Sequence, residues 1–132
     1  MNTTAKTIQR IYPSVRYKNA RAAITWLTTV LGAREQQVCT GDDDTIHHAE
    51  LALAGNLIML GTGNEASGDN STLYVALDTP AEIDDAYARA KAAGAEIVRD
   101  LCDTDYGSHD FSVRDPEGHR WSFGTYCPQA ES

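Results

Sequence analysis

Residues 115–124 read DPEGHRWSFG, the most informative stretch of the chain. Pro116 stands at the second position of a tight turn, where its fixed φ is favourable, and Gly118 stands at the fourth, as in a type I turn. After the turn, Trp121 and Phe123 alternate with polar or small residues. A period of two is typical of a strand with one buried face. The stretch therefore predicts a strand end, a tight turn and a half-buried strand.

The chain consists of two imperfect copies of one unit, and the second copy closes with this stretch. Each copy has the pattern of a strand, a helix and three further strands. The copies share landmarks at matching places, namely Leu31-Gly32-Ala33 with Ala93-Gly94-Ala95, and Met59-Leu60-Gly61 with Ser122-Phe123-Gly124. Repeats bury a continuous core by packing against one another, so we expect one domain over residues 1–132. The expected boundaries are 8–61 for repeat one, 62–70 for a linker and 71–126 for repeat two.

The predicted fold class is α+β. Two βαβββ repeats form a curved, mostly antiparallel sheet around a concave pocket, with the helices on the outer face. Asn19 is the expected N-cap of a helix over about residues 20–31 that Gly32 ends. The second helix begins at Thr79 with a capping box and ends at Gly94. The expected strands are Ile8–Tyr17, Arg34–Thr40, His47–Leu53, Leu57–Leu60, Thr72–Leu77, Glu96–Leu101, Ser108–Arg114 and Arg120–Tyr126, with a polar loop at Cys102–Gly107.

The composition argues against several classes of function. A net charge of −8 disfavours nucleic acid and anionic membrane surfaces as partners. No apolar run approaches the roughly 18 residues of a membrane span, and residues 1–10 lack the hydrophobic region of a secretory signal. None of the three cysteines belongs to a Cys-x-x-Cys pair, which favours reduced thiols. We therefore expect a cytoplasmic protein.

The chain resembles the vicinal oxygen chelate superfamily, which contains glyoxalase I, extradiol dioxygenases, and bleomycin- and fosfomycin-resistance proteins. The resemblance extends over about residues 8–126. It is carried, in this order, by the strand at Tyr12–Tyr17, the helix segment Ala22–Leu27, the hairpin end Ile58–Gly61, the helix stop Ala92–Ala95 and the turn Asp115–Gly118. It implies the paired-repeat fold and a homodimer, in which the pockets are often completed across the interface.

The resemblance also implies positions for metal ligands. In metal-dependent members, the first and last strands of each repeat contribute one ligand each. The resemblance places these ligands on Tyr12, Met59, Thr72 (or Leu73, at an offset of one residue) and Ser122. Divalent ions of this kind prefer carboxylate and imidazole donors, whereas this set offers hydroxyls and a thioether. We therefore expect a bleomycin-resistance-like member without the usual metal ion and without a cofactor.

Side-chain alternation along the strands predicts what lines the pocket. Tyrosine faces can hold planar or cationic groups, and a few polar groups among them suit an organic ligand. Trp26 can equally belong to the helix core. The predicted ligand-binding residues are Tyr12, Ser14, Arg16, Trp26, His48, Glu50, Met59, Thr72, Tyr74, His109, Arg120, Ser122 and Tyr126.

The favoured function is metal-independent binding, or sequestration, of a small organic or antibiotic-like molecule that is aromatic or cationic. The alternative is an enzyme of the glyoxalase or dioxygenase type, acting as a lyase or dioxygenase with relocated metal ligands or without metal. In that case His48 and Glu50, which share one strand face, act as ligands or as a general base. His109 stands at the matching place in repeat two. A third hypothesis is a subunit whose pocket binds nothing.

Overall fold

The computed structural model describes residues 9–63 and 72–128. Ile8, the expected start of the first strand, and residues 64–70 of the expected linker lie outside the described residues. Helices and strands follow in the predicted order. They are β1 (Ser14–Tyr17), α1 (Ala20–Val30), β2 (Arg34–Thr40), β3 (Ile46–Leu53), β4 (Asn56–Thr62), β5 (Thr72–Ala76), α2 (Pro80–Ala92), β6 (Glu96–Asp103), β7 (His109–Arg114) and β8 (Arg120–Gly124).

Each repeat forms a four-stranded sheet of the same topology. The strand orders are β1-β4-β3-β2 in sheet one and β5-β8-β7-β6 in sheet two. In each sheet the first strand of the repeat runs parallel to the last, and the other neighbours are antiparallel. This arrangement confirms the predicted α+β class and the two βαβββ repeats.

The helix ends confirm the sequence signals. The Asn19 side chain accepts a hydrogen bond from the backbone N–H of Ala22, and Thr79 and Glu82 form the complete capping box of α2. After each helix, Gly32 and Gly94 adopt φ of 78°. In this left-handed region a side chain would be strained, so glycine is the natural residue to end each helix.

The first strand is shorter than predicted, because a side chain replaces its backbone. The Gln9 amide accepts a hydrogen bond from Leu57 N at 2.7 Å and donates one to Leu57 O at 3.0 Å. These are the two bonds that a strand neighbour would make. Pro13 has no N–H to donate, although its carbonyl accepts from Met59 N. Regular pairing therefore begins only at Ser14.

The polar loop predicted at Cys102–Gly107 begins later in the structure. Cys102 pairs with Asp110 and Asp103 pairs with His109, so both belong to β6. At the other end of the repeat, β8 stops at Gly124 instead of Tyr126. The backbone N–H of Tyr126 donates to Ser108 Oγ at 3.0 Å and so leaves the sheet.

Each sheet packs one face against a helix and leaves the other face, which we call the open face, more accessible. The predicted alternation is confirmed in the strands that carry it. The buried residues on the helix side include Val15, Tyr17, Ile58, Leu60, Trp121 and Phe123. Their alternate neighbours on the open face are exposed or half-buried and include Ser14, Arg16, Met59, Tyr74 and Ser122.

The turn of residues 115–118 joins the two repeats. Asp115 is 4% exposed, and its Oδ2 accepts hydrogen bonds from Tyr17 Oη at 2.6 Å and from Trp121 Nε1 at 3.1 Å. Its Oδ1 accepts from the backbone N–H groups of Glu117 and His119. Burial and the neighbouring Asp115 raise the pKa of Tyr17 far above its ordinary value. Four donors therefore satisfy a carboxylate that would otherwise be costly to bury.

The same turn also caps the first helix from a distance. The Glu117 carboxylate accepts hydrogen bonds from Lys18 N at 2.7 Å and Asn19 N at 2.8 Å, directly before α1. A negative charge at this end complements the helix dipole. Repeat two therefore completes the start of the helix of repeat one.

Candidate ligand-binding site

Two matching rows of side chains cross the open faces, one in each repeat. In sheet one, neighbouring strands align Gln37, Glu50, Met59 and Ser14. In sheet two, they align Arg99, Ser112, Ser122 and Tyr74. Met59 and Ser122 occupy the same place in these rows. The repeat symmetry predicted from the sequence therefore extends to the positions of individual side chains.

The residues at the family's ligand positions do not fit a metal ion. Tyr12 and Thr72 lie two residues before Ser14 and Tyr74, the register neighbours of Met59 and Ser122. The Tyr12 hydroxyl donates to the carbonyl of Gln9 at 2.9 Å. The Ser122 hydroxyl shares a hydrogen bond of 2.8 Å with Ser112. Neutral hydroxyls and one thioether are weak donors for a divalent cation.

Within residues 9–63 and 72–128, no three side chains of His, Cys, Asp or Glu are arranged to hold a metal. Cys39 and Cys102 are free thiols. His109 does contact two carboxylates, with Nε2 at 2.7 Å from Asp84 and Nδ1 at 2.7 Å from Asp103. Its two ring nitrogens point in different directions, so this arrangement is a clamp between α2 and β6. These two carboxylates, Asp84 before Asp103, raise the pKa of His109.

His109 lies on the helix side of sheet two, and Trp26 lies on the helix side of sheet one. Alternation explains the first placement, because His109 shares its face with the buried Phe111. Trp26 borders a cavity of about 740 Å³ where the repeats meet, together with Lys18, Gly94, Ala95, Glu96, Arg114 and residues 115–118. The structure therefore does not bring these two predicted ligand residues together with the open-face set.

His48 and Glu50 lie next to each other on the open face of β3. His48 Nε2 is 2.9 Å from Glu50 Oε2, and both side chains are partly exposed. The structure thus pairs the two residues that the sequence singled out for acid–base chemistry. Glu50 is also the row neighbour of Met59.

Sheet two carries a polar strip on its open face. Arg120 donates through Nη2 to Ser112 Oγ at 3.3 Å, beside the pair that Ser112 forms with Ser122. The buried Nε of Arg120 has no hydrogen-bond partner among the described residues. A guanidinium with a spare donor is able to bind an oxygen of a ligand.

Three tyrosines cluster at the end of this strip. The Tyr74 hydroxyl donates to the carbonyl of Tyr126 at 2.6 Å, and the rings of Tyr106 and Tyr126 meet edge to face at 5.7 Å. Partial burial and the nearby Asp110 raise the pKa of Tyr74. Tyr12, which was predicted as a ligand-binding residue like Tyr74 and Tyr126, lies instead beside sheet one. Sequence reasoning missed Tyr106 and Asp110, although the alternation of Asp110 with the apolar Phe111 was a usable signal.

A cavity of about 690 Å³ lies between the β3–β4 hairpin and the edge strand β5. Thr72 and Tyr74 are the predicted ligand residues that line it, and the core residue Trp121 also contributes. The other lining residues were not predicted as ligand residues, and they belong to the β3–β4 hairpin, to β5 and to irregular segments. They are Gln9, Ile11, Pro13, Leu53, Ala54, Asn56, Leu57, Ile58, Leu73, Val75, Ala76, Cys127 and Pro128.

Comparison with known proteins agrees with this architecture. The sequence model of the glyoxalase/bleomycin resistance protein/dioxygenase superfamily matches residues 7–123, almost the whole chain. The chain belongs to this superfamily. The name of the superfamily covers enzymes, the glyoxalases and dioxygenases, together with a bleomycin resistance protein. Membership therefore supports a ligand-binding or an enzymatic role. Which of the two applies depends on the residues of the site, because one fold serves many functions.

Individual relatives extend over most of the chain. An uncharacterised protein of Mycobacterium bovis is 29% identical over 124 residues, which cover 85% of this chain and 80% of the relative. The crystal structure of TioX from Micromonospora sp. ML1 is 28% identical, with a TM-score of 0.75 over 88% of this chain and 97% of that chain. Lactoylglutathione lyase from Agrobacterium tumefaciens, at 16% identity and a TM-score of 0.70 over 90% and 94% of the two chains, shares the fold.

No helix within the described part of the chain has the length and apolar character needed to cross a membrane.

Proposed function

We propose that the protein binds a small organic molecule, without a metal ion, in the cavity between the β3–β4 hairpin and β5. The cavity itself carries the proposal. Its volume of about 690 Å³ lies within the range of roughly 300–1,000 Å³ usual for small-molecule sites. Mostly apolar side chains line it, with a few polar groups such as Gln9 and Tyr74. This composition suits an aromatic or aliphatic body with few polar substituents.

The chemistry of the open face supports binding without metal. The positions at which the resemblance implies metal ligands carry Tyr12, Met59, Thr72 and Ser122, which offer no charged donor. Their hydroxyls engage protein partners or remain available to hydrogen-bond a ligand. The homodimer and the antibiotic-like ligand that the resemblance implies stay predictions.

A fluorescence titration tests the proposal. Trp26 and Trp121 are the two tryptophans of the chain, and Trp121 lines the cavity. A Trp26→Phe variant therefore reports on the cavity alone. In buffer with EDTA, the neutral probe N-pentyl dansylamide should quench Trp121 saturably by energy transfer to the dansyl group. A requirement for added metal would contradict the proposal.

A matched pair of variants locates the binding site. Ala76 lines the cavity, whereas Ala88 is exposed on α2. Ala76→Phe fills part of the cavity and should weaken binding of the probe by about fivefold to a hundredfold, because overpacking a formed site costs roughly 1–3 kcal/mol. Ala88→Phe makes the same change outside the cavity and should leave binding unaltered. Equal affinities in the two variants would place the probe elsewhere.

The contact between His48 and Glu50 favours a second candidate, a metal-free enzyme in which this pair is the general base. A carboxylate at 2.9 Å orients the imidazole, as a general base requires. The test is turnover of an α-ketoaldehyde–thiol adduct or a catechol. Loss of turnover in His48→Gln with retention in His47→Gln, the exposed neighbour on the other face, would support this candidate. No turnover by the unaltered protein would exclude it for these substrates.

A further inference from the structure

A buried carboxylate lies next to this cavity, and one of its oxygens has no hydrogen-bond donor among the described residues. Asp110 is only 5% exposed, on the open face of β7. Its Oδ1 is sealed from solvent and has no hydrogen-bond partner among the described residues. None of the ion pairs within residues 9–63 and 72–128 involves Asp110. An uncompensated buried carboxylate is unfavourable, so this position calls for a partner that the chain itself does not supply there.

Two hydroxyl groups lie beside this carboxylate. Asp110 stands directly opposite Gly124, which has no side chain. A Cβ atom on Gly124 would lie 2.6 Å from Tyr74 Oη, 3.0 Å from Ser108 Oγ and 3.1 Å from Asp110 Cγ. Tyr74 donates its hydroxyl proton to Tyr126 O, and Ser108 Oγ already accepts from Tyr126 N. The Ser108 hydroxyl is in turn hydrogen-bonded to Tyr74. The lone pairs that remain on these two hydroxyls form, with the carboxylate, a set of acceptors, which matches an ammonium group with donors and no acceptor.

The surroundings suit an organic cation rather than a simple ion. Tyr74, Tyr106 and Tyr126 are 43%, 61% and 51% exposed, an unusual cluster of accessible aromatic rings. Aromatic faces attract ammonium groups. Tyr74 also lines the 690 Å³ cavity, together with Ala76, the strand neighbour of Gly124. The acceptor set and the apolar cavity are therefore adjacent parts of one site.

We propose that the ligand is an organic ammonium compound whose cationic head pairs with Asp110 and whose apolar body fills the cavity. This inference rests on the proposed function and names the ligand class. The net charge of −8 attracts such a ligand from solution.

Two probes that differ only in the head group test this proposal. Dansylcadaverine and N-pentyl dansylamide share the dansyl body and the five-carbon chain, and only the first ends in an ammonium group. The unaltered protein should bind dansylcadaverine roughly tenfold more tightly, as expected for a charge-assisted pair beside aromatic rings. Asp110→Asn should abolish that preference and leave the affinity for the neutral probe unchanged. Asp85→Asn, an equal charge change at an exposed position on α2, should preserve the preference.

The outcomes separate this proposal from the function on which it rests. Equal affinity for the two probes would overturn the ammonium proposal and leave small-molecule binding intact. Binding of neither probe would count against both. A ligand-free readout adds a second check, because Asp110→Asn removes an uncompensated charge and should raise the melting temperature. A lowered melting temperature would show that Asp110 is satisfied within the fold and would overturn the proposal.

Discussion

Replacing Asp115 with asparagine should unfold the junction between the repeats. Asp115 Oδ2 accepts from Tyr17 Oη at 2.6 Å and from Trp121 Nε1 at 3.1 Å. An amide nitrogen at this place would point its donors at the Trp121 N–H, which cannot accept. Turning the amide over moves the same conflict to the N–H groups of Glu117 and His119. Hydrogen bonds to charged groups contribute about 1.5–3 kcal/mol each. The loss of two should therefore lower the free energy of unfolding by about 3–6 kcal/mol.

The measurement is urea unfolding followed by tryptophan fluorescence, with Asp85→Asn as the control. Because Asp85 is exposed, its replacement should change the free energy of unfolding by less than about 0.5 kcal/mol. Tyr17→Phe removes one of the two bonds to Oδ2 and should cost about half as much as Asp115→Asn. A loss below about 1 kcal/mol in Asp115→Asn would refute the view that this carboxylate holds the repeats together.

Two further perturbations test the helix side and the open face. His109 has a pKa raised above its ordinary 6.5 by Asp84 and Asp103, so its stabilisation is complete below pH 6.5 and disappears as the pH rises through the raised value. The urea midpoint of the unaltered protein should fall toward that of His109→Gln over this interval, and parallel pH profiles would contradict the clamp. In Gly61→Ala, the new Cβ would lie 2.7 Å from the His47 carbonyl oxygen, which should cost roughly 1–3 kcal/mol in thermal unfolding. In Gly63→Ala the nearest atom is Arg16 Cβ at 3.2 Å, a milder contact that should cost less, and equal losses would argue against the backbone clash.

Alternation and helix-end signals revealed most of the fold, because both act over a few neighbouring residues. Val15 and Tyr17 in β1, and Trp121 and Phe123 in β8, are buried as their spacing predicts. The order of helices and strands follows from the repeat. The same reasoning placed His48 and Glu50 on one strand face, where the structure shows them in contact.

Contacts between distant parts of the chain escaped this reasoning. No local pattern shows that the Gln9 side chain pairs with Leu57 in place of a strand. The cavity is formed by segments of both repeats, so Thr72 and Tyr74 were found from alternation while most of its lining was not. The proposed role of Asp110 depends on the hydrogen-bond donor that its Oδ1 lacks among the described residues. The absence of a donor cannot be read from a local sequence pattern.

The cap that Glu117 places on α1 has a consequence for synthesis of the chain. Its hydrogen bonds to Lys18 N and Asn19 N link residues 99 and 98 positions apart. On the ribosome, repeat one emerges with the amino end of its helix incomplete and with Tyr17 lacking its buried acceptor. Contacts of such long separation form late and slow folding. The turn of residues 115–118 therefore completes the folding of repeat one. The final folded state of the first half of the chain depends on translation of the second.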